Sequence, residues 1–112
     1  MAAPRFCADT HDGYHLDNPS PVALLVLVRE LNEVDNTYVK VWPNPKNPVW
    51  QATVSLLEDE IYEIEYRDTR VRERRTVSHR DSRAVVYDLL GWLSRRIPLR
   101  RAERGRTAPS AR

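Results

Sequence analysis

The sequence predicts an α+β fold: an antiparallel β-meander of three to five strands with two helices packed on one face. Three observations lead to this prediction. A Ser-Pro pair precedes an apolar run, a stretch with period-two alternation follows, and an apolar pattern at helical spacing then ends at a proline. Placing both helices on one face of the sheet buries both apolar stripes. A chain of 112 residues has the size of one domain with one core.

Residues 1–18 are largely polar and are predicted to form an N-terminal arm, with at most a weak strand near Tyr14–Leu16. Cys7, His11 and His15 have a C-x3-H-x3-H spacing, and these side-chain types suit zinc. A glycine and the polar context argue against the helix that would align them, and no second Cys or His pair supplies a fourth ligand. We therefore expect no metal site and no cofactor here.

The first helix is predicted from Pro21 to about Glu33. Ser20 supplies a capping hydroxyl, and Pro21 occupies a position where a missing N–H costs nothing. The predicted apolar stripe consists of Val22, Leu25, Val28 and Leu31. Because residues 23–28 are almost entirely apolar, a buried strand is the alternative for this run.

After a turn at residues 35–36, three strands are predicted, over Thr37–Trp42, Val49–Leu57 and Ile61–Tyr66. Their short connections favour an antiparallel arrangement, and a fourth strand over Arg70–Val77 is left open because its composition is poor for a strand.

The carboxylates of the third strand decide which side of the sheet faces the core. Burying Glu63 and Glu65 without partners would cost several kcal/mol each, so both are expected to face water. The inward residues are then Tyr62, Ile64 and Tyr66 on that strand and Trp50, Ala52, Val54 and Leu56 on the preceding one. Gln51, Thr53 and Ser55 are expected to share the outer face with the carboxylates.

The second helix is the clearest element. Asp81 or Ser82 caps it, and Pro98 ends it. The apolar residues at helical spacing are Val85, Val86, Leu89, Leu90, Leu93 and Ile97. The domain is thus predicted over residues 19–98, and residues 99–112 are predicted to be a disordered basic tail, since they offer almost nothing to bury.

The residue content argues against catalysis and against a membrane span. There is no Gly-x-Ser-x-Gly motif, and three glycines cannot build a phosphate-binding loop. We predict no catalytic residue, and a protein that is not an enzyme. The most apolar run, Val22–Val28, is far shorter than the roughly 20 residues of a membrane helix. With no signal-peptide pattern, a cytoplasmic protein is expected.

The charge distribution favours a protein partner. Residues 1–66 carry four basic and eleven acidic side chains, whereas residues 67–112 carry fourteen basic and five acidic ones. The candidate partner-binding residues are Glu58, Asp59, Glu60, Glu63, Glu65, Trp42 and Trp50. The two tryptophans bracket a proline-rich loop, Pro43–Pro48, and the alternative is that both belong to the core.

Nucleic-acid association is the alternative function, through Arg70, Arg72, Arg74, Arg75, Arg100 and Arg101. Such binding is expected to be weak and nonspecific, because the basic tail has no aromatic residue to stack on bases. A structural subunit of a larger assembly is a further alternative.

Four segments resemble small immunity-type proteins of actinobacterial polymorphic toxin systems. These segments are Asn36–Val39, Trp50–Val54, Tyr62–Asp68 and the helix Asp81–Arg95, within a likeness that spans roughly residues 18–96. Some such families end in a further strand with a tryptophan, where this chain has an arginine tail. The resemblance implies a compact α+β inhibitor whose partner is a toxin domain. The acidic residues of the sheet predict that this partner has a basic surface.

Overall fold

The computed structural model describes residues 5–43 and 49–97, which form one six-stranded antiparallel sheet and two α-helices. The strands are β1 (Phe6–Thr10), β2 (His15–Asp17), β3 (Tyr38–Pro43), β4 (Trp50–Leu57), β5 (Ile61–Asp68) and β6 (Glu73–His79). The helices are α1 (Pro21–Arg29) and α2 (Ser82–Ser94). The strand order is β2-β1-β3-β4-β5-β6, and both helices contribute to one core against the sheet. The predicted α+β class is confirmed, with one strand more than the expected maximum.

The N-terminal segment contains the predicted weak strand, β2, but also the strand β1, where the sequence predicts an arm. Phe6, Cys7 and Ala8 are fully buried, and β1 lies inside the sheet between β2 and β3. Asn18 anchors the start of β1, because its Oδ1 accepts hydrogen bonds from the backbone N–H groups of Arg5 and Phe6 at 2.9 and 3.2 Å. The five-residue strand lacks a clear alternation, and its partner β3 lies about 30 residues along the chain, so local periodicity did not reveal it.

Helix α1 begins where predicted but ends early. The Ser20 hydroxyl accepts from the Ala23 N–H at 3.1 Å, and the helix ends at Arg29 rather than near Glu33. Asn32 explains the end, because its Oδ1 accepts hydrogen bonds from the backbone N–H groups of residues 34, 35 and 36. The turn that these Asn32 hydrogen bonds stabilise competes with continuation of the helix.

The buried face of α1 differs from the predicted stripe. Its buried residues are Leu24, Leu27 and Val28, followed by Leu31 beyond the helix end, while Val22 is 71% exposed. Since nearly every residue of this run is apolar, periodicity could not determine the inward face. Packing against α2 and β3 determined it instead.

The inward residues of β4 and β5 agree with the prediction. Trp50, Ala52, Val54, Ile64 and Tyr66 are buried, while Leu56 and Tyr62 are partly buried against the same core. Trp50 is therefore a core residue, and its assignment to a partner-binding surface is wrong.

Helix α2 has the predicted cap and apolar face. Asp81 accepts from the Arg83 N–H, and all the predicted apolar positions are buried or partly buried against the core. Trp92 was not predicted, yet it is almost fully buried and its ring contacts those of Trp50 and Tyr66 at centroid distances of 5.6 and 4.7 Å. Pro98 and the predicted tail lie outside the described residues. In the described ranges, neither helix is long and apolar enough to span a membrane.

Candidate functional site: the outer sheet face and its polar clusters

The sheet face opposite the helices is the candidate site, and we call it the outer face. The strand register places on it His15, Asp17, Cys7, Asp9, Tyr38, Lys40, Trp42, Gln51, Thr53, Ser55, Glu63, Glu65, Arg67, Arg74, Thr76 and Ser78. None of the helices or strands in residues 5–43 and 49–97 packs over it. Apart from Cys7, these side chains are partly or fully exposed.

Charge is ordered along the outer face. Glu63 lies towards the exposed β4–β5 turn, Glu58–Glu60, so carboxylates gather at that end of β5. Arg67 lies at the other end, opposite Arg74. The outward positions of Glu63 and Glu65 agree with the sequence prediction. However, Arg74 lies 3.7 Å from Glu65, so the β5–β6 part of the face has an acidic and a basic end rather than one acidic surface.

Trp42, unlike Trp50, does lie on the outer face. It is half-buried, its Nε1–H donates to Asp9 Oδ2 at 2.6 Å, and the Lys40 ammonium lies 4.8 Å from its ring centroid. Residues 44–48 of the predicted proline-rich loop lie outside the described ranges. Trp42 is thus part of the outer face, and its hydrogen bond holds the Asp9 carboxylate in position.

A cluster of metal-ligand residue types lies beside Trp42. The donor atoms of Cys7, Asp9 and His15 all lie within 4.8 Å of one another. His15 Nδ1 lies 2.6 Å from Asp9 Oδ1, and Cys7 Sγ lies 3.9 Å from Asp9 Oδ2. On its other side, His15 Nε2 lies 2.9 Å from Asp17 Oδ1. The hydrogen bonds to Asp9 and then to Asp17 raise the pKa of His15.

His11, the third residue of the predicted spacing, is elsewhere. Its ring stacks on Tyr38 at a centroid distance of 5.1 Å, and its Nδ1 accepts from the Thr37 N–H at 3.1 Å. Strand geometry, rather than helix geometry, brings Cys7, Asp9 and His15 together. Cys7 and Asp9 are two residues apart on β1, and His15 pairs with Asp9 across the β1–β2 ladder. The sequence did not identify Asp9 as a ligand candidate, because the β1–β2 hairpin was not predicted.

The same cluster does not have the geometry of a nucleophilic cysteine site. Such a site needs an accessible sulfur and a histidine nitrogen that accepts its proton. Cys7 is fully buried, and both ring nitrogens of His15 face carboxylates.

A second polar cluster joins α2 to the inner side of the sheet. The Tyr66 hydroxyl donates to Asp88 Oδ1 at 2.5 Å, and His79 Nε2 lies 2.9 Å from Asp88 Oδ2. Burial, followed by the hydrogen bond to Asp88, raises the pKa of Tyr66. Burial opposes ionisation of Asp88, but the hydrogen bonds from Tyr66 and His79 outweigh it and lower the pKa of Asp88. Tyr66 therefore serves as a neutral donor that anchors α2 and has no character of a general base.

A buried ionic network joins the end of α2 to the β5–β6 hairpin. Arg96 donates to Asp68 at 2.8 Å and to Glu73 at 2.7 Å, and its guanidinium lies 3.7 Å from the Trp92 ring centroid. Trp92 Nε1–H donates to Glu73 as well, at 3.1 Å. No local sequence pattern indicates the hydrogen bonds to Asp68 and Glu73, because they join residues about 20 to 28 positions apart.

Three of the four described arginines in the nucleic-acid alternative contact carboxylates. Arg70 pairs with Asp68, Arg74 with Glu65, and Arg75 with Glu73. Arg72 is exposed in the hairpin turn, whereas Arg100 and Arg101 lie outside the described residues.

No protein-family model, curated protein or solved structure matches the chain. The functional proposal therefore depends on the geometry of the fold and its surfaces.

Proposed function

We propose that this chain is a non-catalytic protein-binding module that uses its outer face. The observation that carries the proposal is the open sheet face, on which β5 and β6 place carboxylates at one end and arginines at the other. Such a fixed charge pattern orients a partner of complementary charge, accelerates association and disfavours wrong partners.

The acidic end of the outer face supports a partner with a basic surface. Glu58, Asp59 and Glu60 are exposed in the β4–β5 turn, and Glu63 is the first outward carboxylate of β5. A cluster of carboxylates of this kind can cover the basic cleft of a protein that acts on nucleic acid. Together with the resemblance of the sequence to immunity-type proteins, this favours an inhibitor of a basic toxin or effector domain.

Reversing the charge of Glu63 and Glu65 together tests the proposal. We expect the Glu63→Lys, Glu65→Lys protein to keep its fold, because both side chains point outward and exposed ion pairs contribute little to stability. We expect it to associate with its partner on the order of ten times more slowly at low salt. Comparative affinity capture would identify the partner, and surface plasmon resonance would then measure the association rate.

A second charge reversal provides the matched control. Glu30 and Glu33 are exposed in the connection after α1, so replacing both by lysine changes the net charge equally without altering the outer face. Equal association rates for the wild type and the Glu63/Glu65 variant would contradict the proposal. A loss of equal size in the Glu30/Glu33 control would show that net charge alone determines association and would also contradict it.

A further inference from the structure

We propose that Cys7, Asp9 and His15 form a zinc-binding site at the β1–β2 edge of the sheet, with Asp17 positioning His15. This inference does not depend on the proposed protein-binding function. The sequence led to an expectation of no zinc because Cys7, His11 and His15 lack a fourth ligand and a helix that would align them. In the structure the third ligand is Asp9 instead of His11, and a water molecule would occupy the fourth position of a tetrahedral zinc ion.

The donor atoms are close to the separations that zinc requires. Bonds of about 2.0 Å to nitrogen and oxygen and about 2.3 Å to sulfur place neighbouring ligand atoms about 3.3–3.5 Å apart in a tetrahedral site. Cys7 Sγ lies 3.9 Å from Asp9 Oδ2, His15 Nδ1 lies 2.6 Å from Asp9 Oδ1, and one donor atom from each of the three residues lies within 4.8 Å of the others. Shifts on the order of 1 Å would bring one donor atom from each residue to these separations. The His15 and Asp9 side chains, 41% and 30% exposed, have room for such shifts.

The hydrogen bonds around the cluster resemble the support that zinc ligands receive. When Nδ1 of a histidine binds a metal, its Nε2–H is usually donated to a carboxylate, which fixes the tautomer and the ring orientation. Asp17 is already placed for this role, 2.9 Å from His15 Nε2. Trp42 likewise donates to Asp9 Oδ2 and orients that carboxylate.

The charge and chemistry of the ligands favour zinc over magnesium or calcium. A thiolate, a carboxylate and a neutral imidazole together balance the charge of a divalent ion. Thiolate and imidazole ligands suit zinc and its neighbours in the first transition row, whereas magnesium and calcium prefer oxygen ligands alone. Binding requires Cys7 to lose its thiol proton and His15 to be neutral, so it releases protons.

Cobalt titration of the reduced, untagged, full-length protein tests the site. Cys7 is the only cysteine, so any sulfur-to-cobalt charge-transfer absorption must come from that residue. We expect this absorption on adding Co²⁺ and its loss on adding Zn²⁺. We also expect Zn²⁺ to raise Tm, since an ion present at 100 times its Kd stabilises the folded state by about 2.7 kcal/mol.

Substitutions of exposed residues locate the site without disturbing the core. His15→Gln should weaken Co²⁺ binding at least tenfold, and Asp17→Asn should weaken it by about 10–100-fold while retaining the charge-transfer absorption. His11→Gln is the matched control, because it removes an exposed histidine of the same hairpin outside the cluster, and it should bind as the wild type does. No sulfur-to-cobalt absorption in the wild type, or unchanged Co²⁺ affinity in folded His15→Gln, would overturn the proposal.

Discussion

At the scale of single residues, Asp68 is the least exposed charged group of the described chain. It is 2% exposed and receives hydrogen bonds from the side chains of Arg70 and Arg96. The hydrogen bond from Arg70 lowers the pKa of Asp68, against the opposing effect of burial. A buried carboxylate with two guanidinium partners is costly to protonate and costly to remove.

The stability of the fold should therefore depend on pH through Asp68. Because the folded-state pKa lies below the unfolded value, this contribution is present above the unfolded pKa and is lost as pH falls through the folded pKa. Asp68→Asn should lower the free energy of unfolding by about 3 kcal/mol at pH 7, since it leaves Arg96 buried without its full partner. The difference from the wild type should shrink below pH 4. Urea denaturation between pH 7 and pH 2.5 would measure it.

Asp59→Asn is the control for this experiment, because Asp59 is exposed in the β4–β5 turn and its left-handed backbone conformation suits asparagine. A difference between Asp68→Asn and the wild type that stays constant from pH 7 to pH 2.5 would show that the Asp68 carboxylate is not preferentially ionised in the folded protein.

At the scale of elements, a capped start and a side-chain turn define helix α1. The Ser20 hydroxyl satisfies one of the N–H groups that the first turn leaves without a helical partner. Beyond the helix end, Asn32 accepts three backbone hydrogen bonds and leads the chain into β3. The helix is only nine residues long, so its ends matter for its stability.

Removing the cap of α1 should weaken the domain measurably. Ser20→Ala should reduce the free energy of unfolding by about 1 kcal/mol, because the Ala23 N–H loses its acceptor, whereas Ser20→Asp should restore most of that stability. Chemical denaturation followed by circular dichroism provides the measurement. Equal stability of the alanine and wild-type proteins would mean that water satisfies the helix start equally well.

At the scale of the whole molecule, folding redistributes the charge of the two sequence halves. The basic second half contributes Arg67 and Arg74 to the outer face, beside carboxylates from the acidic first half. Arg75 and Arg96 instead pair with acids of the second half itself. Much of the apparent basic excess of residues 67–97 is thus compensated locally.

This arrangement predicts weak binding to nucleic acid. We expect duplex DNA to bind without sequence preference, with Kd no tighter than about 10⁻⁶ M at physiological salt. The affinity should fall steeply with salt and be lost on deleting residues 99–112, which carry five arginines and one glutamate. Fluorescence anisotropy at several salt concentrations, with duplexes of different sequence, would measure this. Tight sequence-selective binding would instead support the nucleic-acid alternative.

The sequence by itself determined the α+β class, the positions of both helix starts, and the inward and outward residues of β4 and β5. These features depend on short-range information, namely caps and side-chain periodicity. In β5 the orientation of two residues was enough, because Glu63 and Glu65 could not be buried without partners. The alternation of side chains along the strand then determined which other residues of β5 face inward.

Only the tertiary structure decided the place of β1, the buried face of α1, the partners of Asp68 and the Cys7–Asp9–His15 cluster. Each depends on residues that are distant in the chain or on a strand register that no local pattern encodes. The Cys7–His11–His15 spacing shows how a local pattern and the tertiary structure can group different residues. Spacing of four suggests a helical face, but the β1–β2 ladder groups residues by alternation and cross-strand pairing, so it selects Asp9 and turns His11 towards Tyr38.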